Sequence, residues 1–340
     1  MNRMSQDDLQ PVRIVAVGGG TGLSTLLRDL KEHVASRKAT ERARMPISDL
    51  AAVVTVTDDG GSSGRLRREY AMLPPGDIRN CMVALSRDTT LLSRLFQYRF
   101  ASGRGLRGHS FGNLFLTALT HVTGDFTEAV RLSAQVLAIR GRIYPSTMQN
   151  VTLEAVLENG RIVRGETKIS RSRSRIRRVR LVPRNVRPLP EVLEAIAEAD
   201  LITFGPGSLY TSIIPNLLVR GVVHAMRRSK ATRIYIANLM TQPGETLGYS
   251  AADHVRAIYD HTGPGLFDWV VINNGPISPR LLRRYRAEGA EPVKADIREL
   301  QTLGLRCVID NLVEENGVVR HHAARLSKLL MEEFIQRQPA

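Results

Sequence analysis

Cysteine is scarce in this 340-residue chain. Cys81 and Cys307 are the whole complement, far apart and outside any CxxC or metal-ligand spacing, which excludes a disulfide scaffold and a zinc centre. Lysine is almost as rare: six of the 48 basic residues, with none between Lys38 and Lys168. A Walker-type phosphate loop, which needs Lys after its last glycine, is therefore excluded in the N-terminal third. The same skew weakens the case for a nucleic-acid partner despite a formal charge of +15, because a protein built only to hold phosphate backbones can use either cation. No stretch reaches the ~20 apolar residues of a membrane span. The first ten residues carry two aspartates and no apolar core, unlike a targeting segment. The expectation is a cytoplasmic protein without a membrane span.

What the chain does have is 43% apolar and 24% charged residues, the balance of a globular fold of one large or two ordinary domains. The run Val12-Arg-Ile-Val-Ala-Val17 ends in Gly18-Gly-Gly-Thr-Gly22 and leads into Leu23, Leu26, Leu27 and Leu30 at helical spacing. Strand, glycine loop and helix open a nucleotide-binding α/β fold. A second apolar run, Leu50-Ala-Ala-Val-Val-Thr-Val56, follows an Arg/Lys-rich stretch at 36–44. Helices are predicted over 65–72, 78–86, 89–99, 111–122 and 125–139, the last with Asp125 and Glu128 as a capping-box-like pair. Alternation then predicts strands over 151–157, 161–168 and 176–182. Afterwards the strand and helix rhythm resumes: helix 190–198, strand 200–204, helix 209–219, strand 233–237, helix 250–261, strand 268–273 and a helix near 321–336. The expected fold is α/β, a three-layer core of residues 11–150 and 188–340 around a mainly parallel sheet, interrupted by a small β-rich insertion at 151–187.

Several polar loops sit where such a sheet binds ligands. Gly18, Gly19, Gly20, Thr21 and Gly22 do not form GxGxxG, since Leu23 stands where the last glycine belongs, and Asp58 lies 38 residues past Gly20. What remains is a loop of bare backbone N–H groups before a helix, suited to an anion. Gly205-Pro-Gly207-Ser208 repeats the device after another apolar run, with hydroxyls at Thr211 and Ser212. Two such loops suggest a diphosphate bridging them. Asp58 and Asp59 close the second strand, where they could hold Mg²⁺ against that diphosphate or accept a sugar hydroxyl. Asp77 and Asn80, and His109 and Asn113, stand in glycine-marked loops that open apolar helices, His109 as a candidate acid or base. Asn238, Thr241 and the pair Asn273-Asn274 follow later strands and could read a base or sugar. The run Arg171-Ser-Arg-Ser-Arg-Ile-Arg-Arg-Val-Arg180 has no aromatic residue for base stacking and reads as a charged edge strand.

Taken with Pro75-Gly-Asp-Ile-Arg-Asn80, Gly108-His-Ser-Phe-Gly-Asn-Leu114 and Asn238-Leu-Met-Thr-Gln-Pro-Gly-Glu-Thr246, the block Val54-Thr-Val-Thr-Asp-Asp-Gly-Gly-Ser-Ser-Gly-Arg-Leu66 resembles the bacterial gluconeogenesis factors of the 2-phospho-L-lactate transferase (CofD-like) superfamily over roughly residues 11–335. The resemblance implies a Rossmann-like core and a regulatory protein that binds UDP-N-acetylglucosamine or another UDP-sugar, linked to cell shape and wall synthesis during growth on gluconeogenic carbon. It implies no required cofactor, with Mg²⁺ entering beside a diphosphate, and leaves cell-wall or cell-shape partners and homo-oligomers open. It also places Arg320 on the nucleotide sugar. Many relatives carry Asp after the next histidine, where this chain has His322. The alternative is a Mg-dependent transferase of the superfamily's enzymatic type, its catalytic residues unassigned.

Overall fold

The computed structural model describes residues 11–35, 46–87, 91–172 and 174–335. The Arg/Lys-rich stretch at 36–44, the start of the helix expected at 89, Arg173 and the first ten residues lie outside them. Twelve strands occur among the described residues: β1 Val12–Gly18, β2 Ile47–Val54, β3 Arg142–Pro145, β4 Thr152–Leu157, β5 Ile162–Arg164, β6 Ile176–Val182, β7 Leu201–Phe204, β8 Thr232–Ile236, β9 Trp269–Asn273, β10 Arg306–Asp310, β11 Val313–Glu315 and β12 Val319–His321.

Seven of them make one sheet in the order β10-β9-β8-β7-β1-β2-β3, with every neighbouring pair parallel. Parallel strands buried on both faces need continuous apolar runs, and β1 supplies one: Ile14, Val15, Ala16 and Val17 are all buried. Helices Gly20–Leu30, Gly76–Leu85 and Ala323–Phe334 form one covering layer. Pro190–Glu198, Val222–Arg228 and Ala251–Thr262 belong to the other. No helix among the described residues is long and apolar enough to cross a membrane.

The order reverses between β1 and β7. From β1 the chain winds outward through β2 to β3, then returns to β7 on the other side and winds outward to β10. This is the topological switch point, where open α/β sheets leave a crevice at their carboxyl ends.

Three expectations are corrected in detail. The strand expected over 161–168 ends at Arg164, because Gly165 takes a φ of 95° and the chain turns into a short helix, Glu166–Ser170. The helix expected over 209–219 starts as a π-helical turn, Leu209–Ile213, before Ile214–Leu217. Asp125 does cap Phe126–Val136 by accepting from Glu128 N (2.7 Å), but the Glu128 carboxylate pairs with Arg131 instead of completing the box. The small antiparallel sheet β5-β4-β6 forms as the alternation indicates, with the arginine-rich β6 on its edge. Buried Glu154 on the central strand takes Arg164 and Arg180 from its two neighbours.

Candidate functional site

The two glycine loops leave β1 and β7, the adjacent strands that flank the switch point. They touch through their backbones. A β-carbon on Gly22 would lie 2.3 Å from Pro206 O and 2.9 Å from Gly207 Cα, and one on Gly19 would lie 2.8 Å from an Asp77 oxygen. Only glycine permits this approach. Asn216, fully buried, ties the loops together by donating its amide to Gly18 O (2.9 Å) and Ser212 O (2.8 Å).

A cleft of about 450 Å³ opens above them. Gly19, Gly20, Thr21, Gly22, Gly207, Ser208, Asn238, Thr241 and Arg320 all line it. The helix Gly20–Leu30 begins here without a side-chain cap, so the positive end of its dipole faces the space. Gly18 and Gly205 lie one step behind and pack against each other. The Ser208 hydroxyl accepts from Gln242 Nε2 (2.8 Å), and the Thr241 hydroxyl accepts from Glu291 N (2.9 Å), which fixes both.

Arg320 stands on β12, the second strand of a hairpin, and not at a helix start as its sequence context suggested. It is exposed, and among the described residues it forms no ion pair. Its neighbour His321 is buried and donates from Nε2 to Ala237 O (3.2 Å), at the end of β8. Burial depresses that imidazole to about 4, so it is a neutral anchor that docks the hairpin onto the sheet edge. His322 turns away and accepts from Arg325 N, serving as N-cap of Ala323–Phe334. An aspartate would fill that capping role equally well.

The remaining candidates gather beside the cleft. Asp77 sits behind Gly19, and burial together with neighbouring Asp58 pushes its carboxyl up to about 7. Asp58 and Asp59 diverge: Asp58 accepts from Gly60 N (2.8 Å), whereas Asp59 accepts from Thr167 N (2.9 Å) and Thr167 Oγ1 (2.7 Å). Asp59 therefore fastens the β insertion to the core. Among the described residues no group of three or more His, Cys, Asp or Glu is arranged to hold a metal. Asn80 accepts from Arg79, His109 is buried against the Ser62 hydroxyl (3.0 Å), and Asn113 lies near Ser63. None of these six lines the cleft. Burial, and then Arg65, lower the His109 pKa and favour neutral imidazole.

Sequence reasoning missed Glu166, Tyr285 and Asn216. Glu166 reaches the cleft from the short helix that replaced an expected strand, and burial followed by repulsion from Asp77 and Asp58 holds it well above the usual carboxylate range. Tyr285 lies on Pro279–Ala287, an arginine-rich helix with Leu281 as its one buried residue. Gln242 stands inside a motif that was noted only for its neighbours.

Residues 14–313 match the family model of 2-phospho-L-lactate transferase CofD. A gluconeogenesis factor of Bacillus subtilis is 48% identical over 324 residues, 95% of this chain and 98% of its own length. One from Halalkalibacterium halodurans is 47% identical over 320 residues, covering 94% and 95%. A crystal structure of a UPF0052-family member from Bacillus halodurans superposes with a TM-score of 0.88 at 46% identity, over 95% of this chain and all of that one.

Proposed function

The chain belongs to the 2-phospho-L-lactate transferase CofD family, with bacterial gluconeogenesis factors among its relatives, and on that premise we propose that it is a cytoplasmic UDP-sugar-binding regulator that supports cell shape and wall synthesis during growth on gluconeogenic carbon. One observation carries this reading: two glycine loops meet at the switch point under a cleft that Arg320 also lines, an arginine without an ion pair among the described residues. The loops suit a diphosphate. Arg320, with its fork of donors, suits a further phosphate oxygen or the carbonyl oxygens of uracil. Asn238 and Gln242 flank the same space and suit the sugar and base. Transfer through a cation held by Asp58 and Asp59 is the weaker reading, because Asp59 is taken up by Thr167.

Calorimetric titration with UDP-N-acetylglucosamine and UDP-glucose tests the proposal, with a random oligonucleotide at physiological salt as control. One UDP-sugar should bind saturably and the oligonucleotide should not. Gly207→Val should abolish binding with the fold intact, since a β-carbon there meets nothing nearer than Ser212 Cβ at 3.4 Å while the branched methyls enter the cleft. Equal affinity in wild type and Gly207→Val would remove the diphosphate cradle. Intact UDP-sugar recovered after long incubation with Mg²⁺ supports a regulator. Its consumption would favour the transferase.

A further inference from the structure

Three sequence motifs converge outside the lining of the cleft: Gly61-Ser-Ser-Gly-Arg65, Gly76-Asp-Ile-Arg79 and Gly108-His-Ser-Phe-Gly-Asn113. Each opens a helix of ten or more residues, Gly61–Tyr70, Gly76–Leu85 and Phe111–Thr123. The three N-termini meet. Ser62 Oγ lies 3.0 Å from His109 Nδ1, Asn113 Nδ2 lies 3.4 Å from Ser63 Oγ, and β-carbons on Gly76 and Gly112 would fall 2.3 Å from Ser63 Oγ and 2.8 Å from Arg79 Cδ.

Three guanidiniums share this place, and among the described residues each bonds only an uncharged oxygen. Arg65 donates to Arg107 O (2.8 Å), Arg79 to Asn80 Oδ1 (2.7 Å) and Arg99 to Gly108 O (2.6 Å). The Arg65 tip also lies 3.2 Å from where a β-carbon on Gly108 would stand. Among the described residues none of the three forms an ion pair. Two groups more than nine-tenths buried are left without partners among the described residues: Arg79 Nε, a donor, and Asn113 Oδ1, an acceptor. An oxyanion with one hydroxyl would satisfy both.

We propose that the junction of these three helix N-termini, with Arg65, Arg79 and Arg99, is a second binding subsite for the phosphate group of a small phosphorylated molecule, separate from the glycine-loop cleft. Phosphate fits better than carboxylate. Asp58, Asp77 and Glu69 are the acids nearby, and burial with Asp58 beside it pushes Asp77 up to about 7, so that about half of it is protonated at pH 7; three guanidiniums and three helix ends exceed what these acids and a single added negative charge offset. A phosphate monoester brings ~1.5–2 negative charges and three acceptor oxygens. The cleft reading is not required for this assignment.

Inorganic phosphate is the probe, titrated into the full chain both free and saturated with UDP-N-acetylglucosamine. One saturable phosphate site should persist with the cleft filled. Arg99→Ala and Arg65→Ala, at exposed and half-buried positions that the fold tolerates, should each weaken it tenfold or more, and Gly207→Val should leave it unchanged. Absence of saturable phosphate binding would overturn the proposal. So would binding that survives both arginine variants and disappears in Gly207→Val, since the phosphate would then sit in the glycine loops. Because this pair of variants is read on the free chain, failure of UDP-sugar binding leaves the test decisive.

Discussion

The loops after β1 and β7 and the loop after β2 leave neighbouring strand ends of one sheet, yet they use their polar atoms in opposite ways. The first two press backbone on backbone, Gly22 against Pro206 and Gly207, and line the cleft with their outer residues. In the β2 loop the acceptors are engaged internally: Asp58 by Gly60 N, Asp59 by the backbone and side chain of Thr167. The difference teaches that glycine at a strand end serves either close backbone approach between loops or a turn whose acids fasten one segment to another.

Breaking the first region has the largest expected effect. Gly22→Val forces the two loops apart, since even its β-carbon would overlap Pro206 O. Overpacking of this kind, against backbone that cannot rotate away, should destabilise by about 4 kcal/mol or more. Urea unfolding within ~1 kcal/mol of wild type would refute the loop contact.

In the second region Asp59→Ala should have a medium effect. It leaves Thr167 N half-buried without its acceptor and removes a hydroxyl bond, a loss of about 1–3 kcal/mol. Amide exchange along Glu166–Ser170 should accelerate while UDP-sugar affinity changes by less than a factor of about five, under 1 kcal/mol. Unchanged exchange at these amides would contradict the fastening role of Asp59.

Asp77 joins the two regions, with Gly19 on one side and Asp58 on the other. Its folded-state pKa of about 7 lies above the ordinary 3.8, so between these values the folded chain keeps a proton that the unfolded chain has lost. Stability contributed at this site therefore falls as pH rises from about 4 to 7, by at most ~1.4 kcal/mol per unit, and levels off above. Glu166, held high for the same reasons, acts in the same direction. Asp77→Asn should flatten the pH dependence of the unfolding midpoint between pH 5 and 7, and an equally steep profile in that variant would exclude Asp77 as its source.

How much of this was legible follows from where apolar runs occur. The inner strands β1, β2, β7, β8 and β9 announce themselves because both their faces are covered. Both edge strands escaped notice: β3, Arg142-Ile-Tyr-Pro145, and β10, Arg306-Cys-Val-Ile-Asp310, carry polar residues toward solvent and show no continuous run. In the site, the glycine loops could be read from sequence because close backbone approach demands glycine. Glu166 could not, since Gly165 redirects the chain in the middle of an alternating pattern, and neither could Tyr285, on a helix whose apolar face is a single leucine.

The smallest effect on stability, and the sharpest test of the cleft, belongs to Arg320. Only the family resemblance points to it, yet Arg320 lines the cleft from a hairpin strand more than a hundred residues after either glycine loop. It is exposed, so Arg320→Ala should alter stability without ligand by no more than ~0.5 kcal/mol. The hairpin keeps its anchor, because His321 still bonds Ala237 O. A charge-assisted fork to phosphate or uracil is worth about 1.5–3 kcal/mol, so the same variant should bind the UDP-sugar roughly 10- to 150-fold more weakly, at 1.4 kcal/mol per decade. His321→Ala separates contact from placement. It removes the anchor while keeping the guanidinium, and should weaken binding and melt lower, whereas Arg320→Ala weakens binding alone. Calorimetry giving equal affinity for Arg320→Ala and wild type would exclude the guanidinium from the ligand and confine recognition to the two glycine loops.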